Sequence, residues 1–155
     1  MLLAPPSADA IASVIELAVA PVFLLVAIGG FLNVCAGRLA RIVDRARAME
    51  PVILAARGAE HDQLVEEARL LDRRIRVVNS AITMAVLAAV FICLLVVLLF
   101  VTGLFQVDLA SVIALLFIAA IIAVGSSFTI FLVETRLATR MVRVPSRLLF
   151  HEAED

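Results

Sequence analysis

The chain has 155 residues, 64% of them apolar and 17% charged, with a formal net charge of −1. That length sets an expectation of one domain, and the apolar share exceeds the roughly 45–50% of a soluble domain. All thirteen basic residues are arginine and they fall in only two places, interleaved with acids and with no Phe, Tyr or Trp between Arg38 and Asn79 to stack on bases, so nucleic acid is disfavoured.

The opening Met1–Asp9 has no positive charge and contains Pro5-Pro6. The apolar run Ile11–Ala36 that follows is too long for the core of a secretory signal and ends in arginines, so it is expected to stay as an anchor. Within it, Glu16 lies a little over one turn from the outer end with no basic residue on that side. An ionisable residue in a span marks a candidate functional position. Asp9, Glu16 and Asp108 together make that face acidic, which would mildly attract cations.

From Leu39 the apolar positions are Leu39, Ile42, Ala46, Met49 and Ile53; after Gly58 they are Leu64, Ala68, Leu71, Ile75, Val78 and Ile82. Both series alternate steps of three and four, the heptad signature of a helix with one buried seam. If the chain reverses near Gly58, Ile53 faces Leu64, Met49 faces Ala68, Ala46 faces Leu71, Ile42 faces Ile75 and Leu39 faces Val78, each pair adding to the same constant. This predicts an antiparallel helical hairpin over about 38–79. Gly58 suits the left-handed residue just past a helix end, and Asp62 suits the first turn of the next helix. Pro51 either bends the first arm or ends it at Glu50. One flank of the hairpin collects Arg38, Arg45 and Arg74 with only Glu67 for balance; it reads as a solvated face, an anionic-lipid contact or a contact for an acidic partner. The other carries Val43, Glu50, Val65 and Asp72, and Val43 and Val65 are the candidate association flank. Asp44 with Arg47 and Asp72 with Arg76 are expected as same-helix pairs.

Two further runs, Ala81–Val101 and Leu109–Val133, contain no charged residue and are long enough for a bilayer core of about 30 Å. Thr102–Asp108 joins them as antiparallel neighbours. The third helix is expected to continue, with Ile130, Val133, Leu137, Met141 and Val144 forming a stripe against the Val43/Val65 flank until Pro145. Nine arginines lie between the first and second runs and four after the third, with none on the other side. Arginine placement of this kind puts the hairpin and C-terminus in the cytoplasm and the N-terminus outside an inner membrane.

Each span has small residues four apart: Gly29, Asn33 and Gly37; Ala81, Ala85 and Ala89; Ala119, Ala123 and Ser127. Such spacing lets helix backbones approach closely in lipid. Asn33, Asn79, Ser80, Thr83, Ser126, Ser127 and Glu134 fall at the cytoplasmic ends of their helices, where unpaired polar groups are costly. They are expected to bond one another or interfacial water, with Arg38 and Arg136 close enough to join Glu134. The candidate polar belt is therefore Asn33, Arg38, Asn79, Thr83, Ser127 and Glu134. Cys35 and Cys93 differ in depth by about 15–20 Å at 1.5 Å per residue, which rules against a disulfide. With only His61 and His151 besides, no metal site is expected. No phosphate loop, zinc motif or activated nucleophile is present, so neither a cofactor nor enzymatic activity is expected.

Pro21-Val-Phe-Leu-Leu through Asn33 to Arg38-Leu-Ala-Arg-Ile-Val-Asp-Arg45, with Leu71-Asp-Arg-Arg-Ile-Arg-Val-Val-Asn79 and Ala81-Ile-Thr83, resembles a bacterial membrane family known as domain of unknown function 2721. The likeness covers about 11–143, and its most specific part is the Asn33…Arg38…Arg41…Asp44-Arg45 pattern. The resemblance implies three spans and a helical cytoplasmic insert; it supplies no activity. The expectation is an all-α integral membrane protein, a single membrane domain of three transmembrane helices with the first two extended into the hairpin. It would be non-enzymatic, its stalk mediating self-association into a homo-oligomer or binding to another membrane-associated protein. The alternative is a small homo-oligomeric ion channel, suggested by Glu16 and the polar belt.

Overall fold

The computed structural model describes residues 8–105 and 107–141. They form three α-helices: α1 (Ala8–Ala55, 48 residues), α2 (Ala59–Phe105, 47 residues) and α3 (Ala110–Met141, 32 residues). At 1.5 Å per residue α1 and α2 are each about 70 Å long, over twice the thickness of a bilayer's hydrocarbon core. All three are long and apolar enough to cross a membrane.

α1 does not stop at Glu50. It continues through Pro51 to Ala55. Pro51 removes only the bond its nitrogen would have made to the Arg47 carbonyl, and it does so within the last two turns, where few bonds remain to be broken. The turn between α1 and α2 is three residues long, and Gly58 takes a φ of 64°, the left-handed conformation that a side chain disfavours. The Ile53 carbonyl near the end of α1 meets His61 Nδ1 at 3.1 Å, and the Gly58 carbonyl accepts the Asp62 amide at 3.3 Å. At the start of α3, Asp108 Oδ1 accepts the Ala110 amide at 3.2 Å, satisfying one of the orphan donors of a helix N-terminus.

α2 packs along both α1 and α3. One core joins Cys35, Ile42, Met49, Leu71 and Val78, with Leu39, Ala46, Ile53, Leu64, Ile75 and Ile82 packed against it. Nine of the ten seam residues fall within this core, and Ala68 is half-buried. A second core, within the apolar runs, contains Ile28, Ala85, Ala88, Ile92, Ala120 and Ala123. Of the small residues expected inward, Ala81, Ala85, Ala123 and Ser127 are buried, while Ala89 and Ala119 are half-buried and their neighbours Ala88 and Ala120 are buried instead. Gly29, Asn33 and Gly37 are exposed, and a Cβ added at either glycine would meet nothing within 4 Å. α1 instead packs through Ile28, Phe31 and Cys35, because bulky side chains fill the space between helices that do not touch backbone to backbone.

At the far end a groove opens between α1 and α2. Ile15, Ala18, Val19, Val22, Phe23 and Val26 of α1, with Val96 and Phe100 of α2, line an apolar groove of about 490 Å³. Beyond it Val14 is packed so tightly on Gly103 that a Cβ there would overlap the valine side chain. Cys35 and Cys93 are both free, the first buried and the second exposed.

Candidate functional site

α3 turns Ala120, Ala123, Ser127 and Glu134 inward, a 3, 4, 7 spacing that keeps them on one helical stripe. Val133 is 49% exposed and Ile130 half-buried, so the expected apolar stripe is not the face α3 presents to its neighbours at this level. The stripe's remaining side chains, from Leu137 to Val144, lie outside the described residues. Inward placement of Glu134 follows from the helical repeat set by the alanines below it.

Glu134 is fully buried, and both its oxygens are used. Oε2 accepts Arg38 Nη1 of α1 at 2.8 Å. Oε1 accepts Arg74 of α2 through Nη2 at 2.8 Å and Nε at 3.3 Å. One carboxylate thereby ties three helices together across sequence separations of 96 and 60 residues. The Arg38 side chain is 30% exposed and that of Arg74 18%, so these are charge-assisted bonds in a partly dry environment, where losing one partner is costly. The Arg38 guanidinium lies 5.2 Å from the centre of the Phe131 ring, whose negative face adds to its stabilisation. Phe31 meets Phe128 and Phe131 edge-on at 4.5 and 5.3 Å, forming an aromatic floor beneath the charges.

Above Glu134 a cavity of about 300 Å³ opens between α1 and α2, lined by Arg38, Arg41, Arg45, Arg74, Ile42 and Leu71. Arg45 reaches across to Glu67. Arg41 is exposed and makes no ion pair among the described residues. Four guanidinium groups therefore line the cavity against two carboxylates. This arrangement holds fixed positive charge over apolar walls. It contains no nucleophile, and among the described residues no group of three or more His, Cys, Asp and Glu is placed to hold a metal.

Of the candidate belt, Arg38 and Glu134 meet directly. Ser127 lies one layer below them and donates to the Ala81 carbonyl of α2 at 2.6 Å. Asn33, Asn79 and Thr83 are exposed instead, and Thr83 donates to the Asn79 carbonyl of its own helix at 2.9 Å. Ser80, Thr129 and Thr135 do likewise with the carbonyl four residues back, a local solution that competes with bonds between helices. Glu16 is exposed, pointing away from the other helices. Val43 and Val65 are half-buried. Asp72 pairs with Arg76 at 3.1 Å, while Asp44 and Arg47 make no such pair among the described residues. Arg74 is the functional residue that the linear pattern assigns only to the basic flank. Glu134 is the one acid between Asp108 and Glu152, and that isolation was the available signal that it needed arginine partners from elsewhere.

The chain belongs to the family described as protein of unknown function (DUF2721), which matches residues 18–144. That stretch contains Arg38, Arg41, Arg45, Arg74 and Glu134. No curated protein matches the chain, and no solved structure does.

Proposed function

We propose that the chain is a non-enzymatic protein of a bacterial inner membrane whose α1 and α2 continue into the cytoplasm as an antiparallel hairpin, a stalk through which copies associate or a membrane-associated partner docks. The observation that carries this reading is the core around Ile42, Met49 and Leu71, which continues past the apolar runs and makes the projecting segments a packed unit. The Ile53–His61 and Arg45–Glu67 contacts, progressively farther from Gly58, support the opposed directions of the two arms. Clustering of nine arginines on these arms supports the cytoplasmic side. Exposed Phe23, Val26, Leu115 and Ile122, each above 60%, suit a surface solvated by lipid tails.

Association through the half-buried Val43/Val65 flank is tested on the full chain in lipid nanodiscs by native mass spectrometry. The natural chain is expected as a dimer or larger assembly, and Val43→Asp with Val65→Asp as a monomer with unchanged helix content. A natural chain that is monomeric would overturn self-association, and a double variant that keeps its assembly would overturn this flank as the contact.

A further inference from the structure

We infer that the arginine-lined cavity between α1 and α2 is a binding site for the phosphate of an anionic membrane phospholipid. The cavity is about 300 Å³, room for roughly ten waters and so for a phosphate with its ester substituents. Four arginines line it and no lysine occurs anywhere in the chain. Guanidinium groups present forked donors that match phosphate oxygens two at a time.

Two of the four are already fixed. Arg38 and Arg74 are held by the buried Glu134, so their remaining donors are oriented before any ligand arrives, which lowers the cost of ordering them. Their two positive charges meet only one negative charge there. Arg45 is matched by Glu67, but Arg41 is unmatched among the described residues. The excess at the cavity is two positive charges, enough to hold the single negative charge of a lipid phosphodiester. Ile42 and Leu71, both buried, supply the apolar back wall of the cavity between the guanidinium groups.

Depth selects the lipid over a soluble phosphate. Arg38 comes two residues after the apolar run ending at Ala36, about 3 Å along the helix axis, and Arg41 about 4.5 Å farther. The polar layer on each side of a bilayer's core is about 5–8 Å thick, so these arginines fall at phosphate level. This placement rests on the membrane reading above. The binding itself is measured in detergent micelles, where neither insertion nor association through Val43 and Val65 enters the result.

The test is thermal unfolding of the full chain in a neutral detergent, titrated separately with phosphatidylglycerol, phosphatidylcholine and inorganic phosphate. Phosphatidylglycerol is expected to raise the Tm saturably. Arg41→Gln leaves the Glu134 cluster intact and is expected to weaken that response roughly five- to tenfold in apparent affinity, the effect of one arginine near an anionic surface. Arg73→Gln, an exposed change outside the cavity, is expected to leave it within twofold. Equal responses to phosphatidylcholine and phosphatidylglycerol, or an Arg41→Gln response equal to the natural one, would overturn the site. An Arg41-dependent rise with inorganic phosphate and none with phosphatidylglycerol would overturn the lipid as its source.

Discussion

The two ends of the α1–α2 pair are held together by different means. Around Glu134 the helices are joined by a continuous core, an aromatic floor and three charge-assisted bonds to one carboxylate. Toward the other end an apolar groove opens between them, and beyond it Val14 packs closely on Gly103. The difference reflects what drives packing in each setting. On the membrane reading proposed above the seam faces water, where apolar side chains gain by burial, and its Ile42, Met49, Leu71 and Val78 are buried. On the same reading the groove lies within hydrocarbon, where no such gain exists, so helices stay together only where shape or hydrogen bonding holds them, and gaps between such points cost little.

The largest test of this contrast is Glu134→Gln. It leaves Arg38 and Arg74 half-buried without their shared counter-charge, and is expected to destabilise the chain by roughly 3 kcal/mol, at the lower end for a broken buried pair because both arginines retain some solvent. Unfolding by titration with sodium dodecyl sulfate in mixed micelles would read this out. A loss no larger than that of an exposed pair would mean the cluster does not hold the helices together. At the opposite end, Gly103→Leu forces a side chain into Val14, and overpacking of this kind costs about 1–3 kcal/mol. Adding Val14→Ala should recover part of that loss in the same assay, whereas equal destabilisation with and without it would place the strain elsewhere. Ser127→Ala tests the layer between the two regions. It removes the bond to the Ala81 carbonyl and should cost about 0.6 kcal/mol, typical of a hydrogen bond between membrane helices. A loss above that of Gly103→Leu would make the polar contact, and not close packing, the main tie within the apolar runs.

Legibility in the sequence followed the same division. The seam from Leu39 to Val78 could be read residue by residue, because its apolar positions stand out against charged neighbours and repeat with the helix. Hydropathy set the three long helices, and Gly58 marked the reversal, since both depend only on local composition and backbone freedom. Inside the apolar runs every face of the helix is apolar, so periodicity no longer reports its rotation. For that reason the expectation is met only in part: Ala81, Ala85, Ala123 and Ser127 turn inward, but Ala88 and Ala120 do so where Ala89 and Ala119 were expected, and the glycines of α1 turn out.

Arg38 could be matched with Glu134 because both flank the end of an apolar run. Arg74 could not, since it lies about seven residues, roughly 10 Å, before the start of its own run. Only the packing of three helices brings it level with Glu134. The amino-acid sequence by itself determined which segments are helical, where the chain turns and which seam joins the first two arms, all consequences of local pattern. The tertiary structure alone decided which way α1 turns within its apolar run, and that one buried carboxylate gathers two arginines from separate helices and leaves two positive charges unmatched beside it.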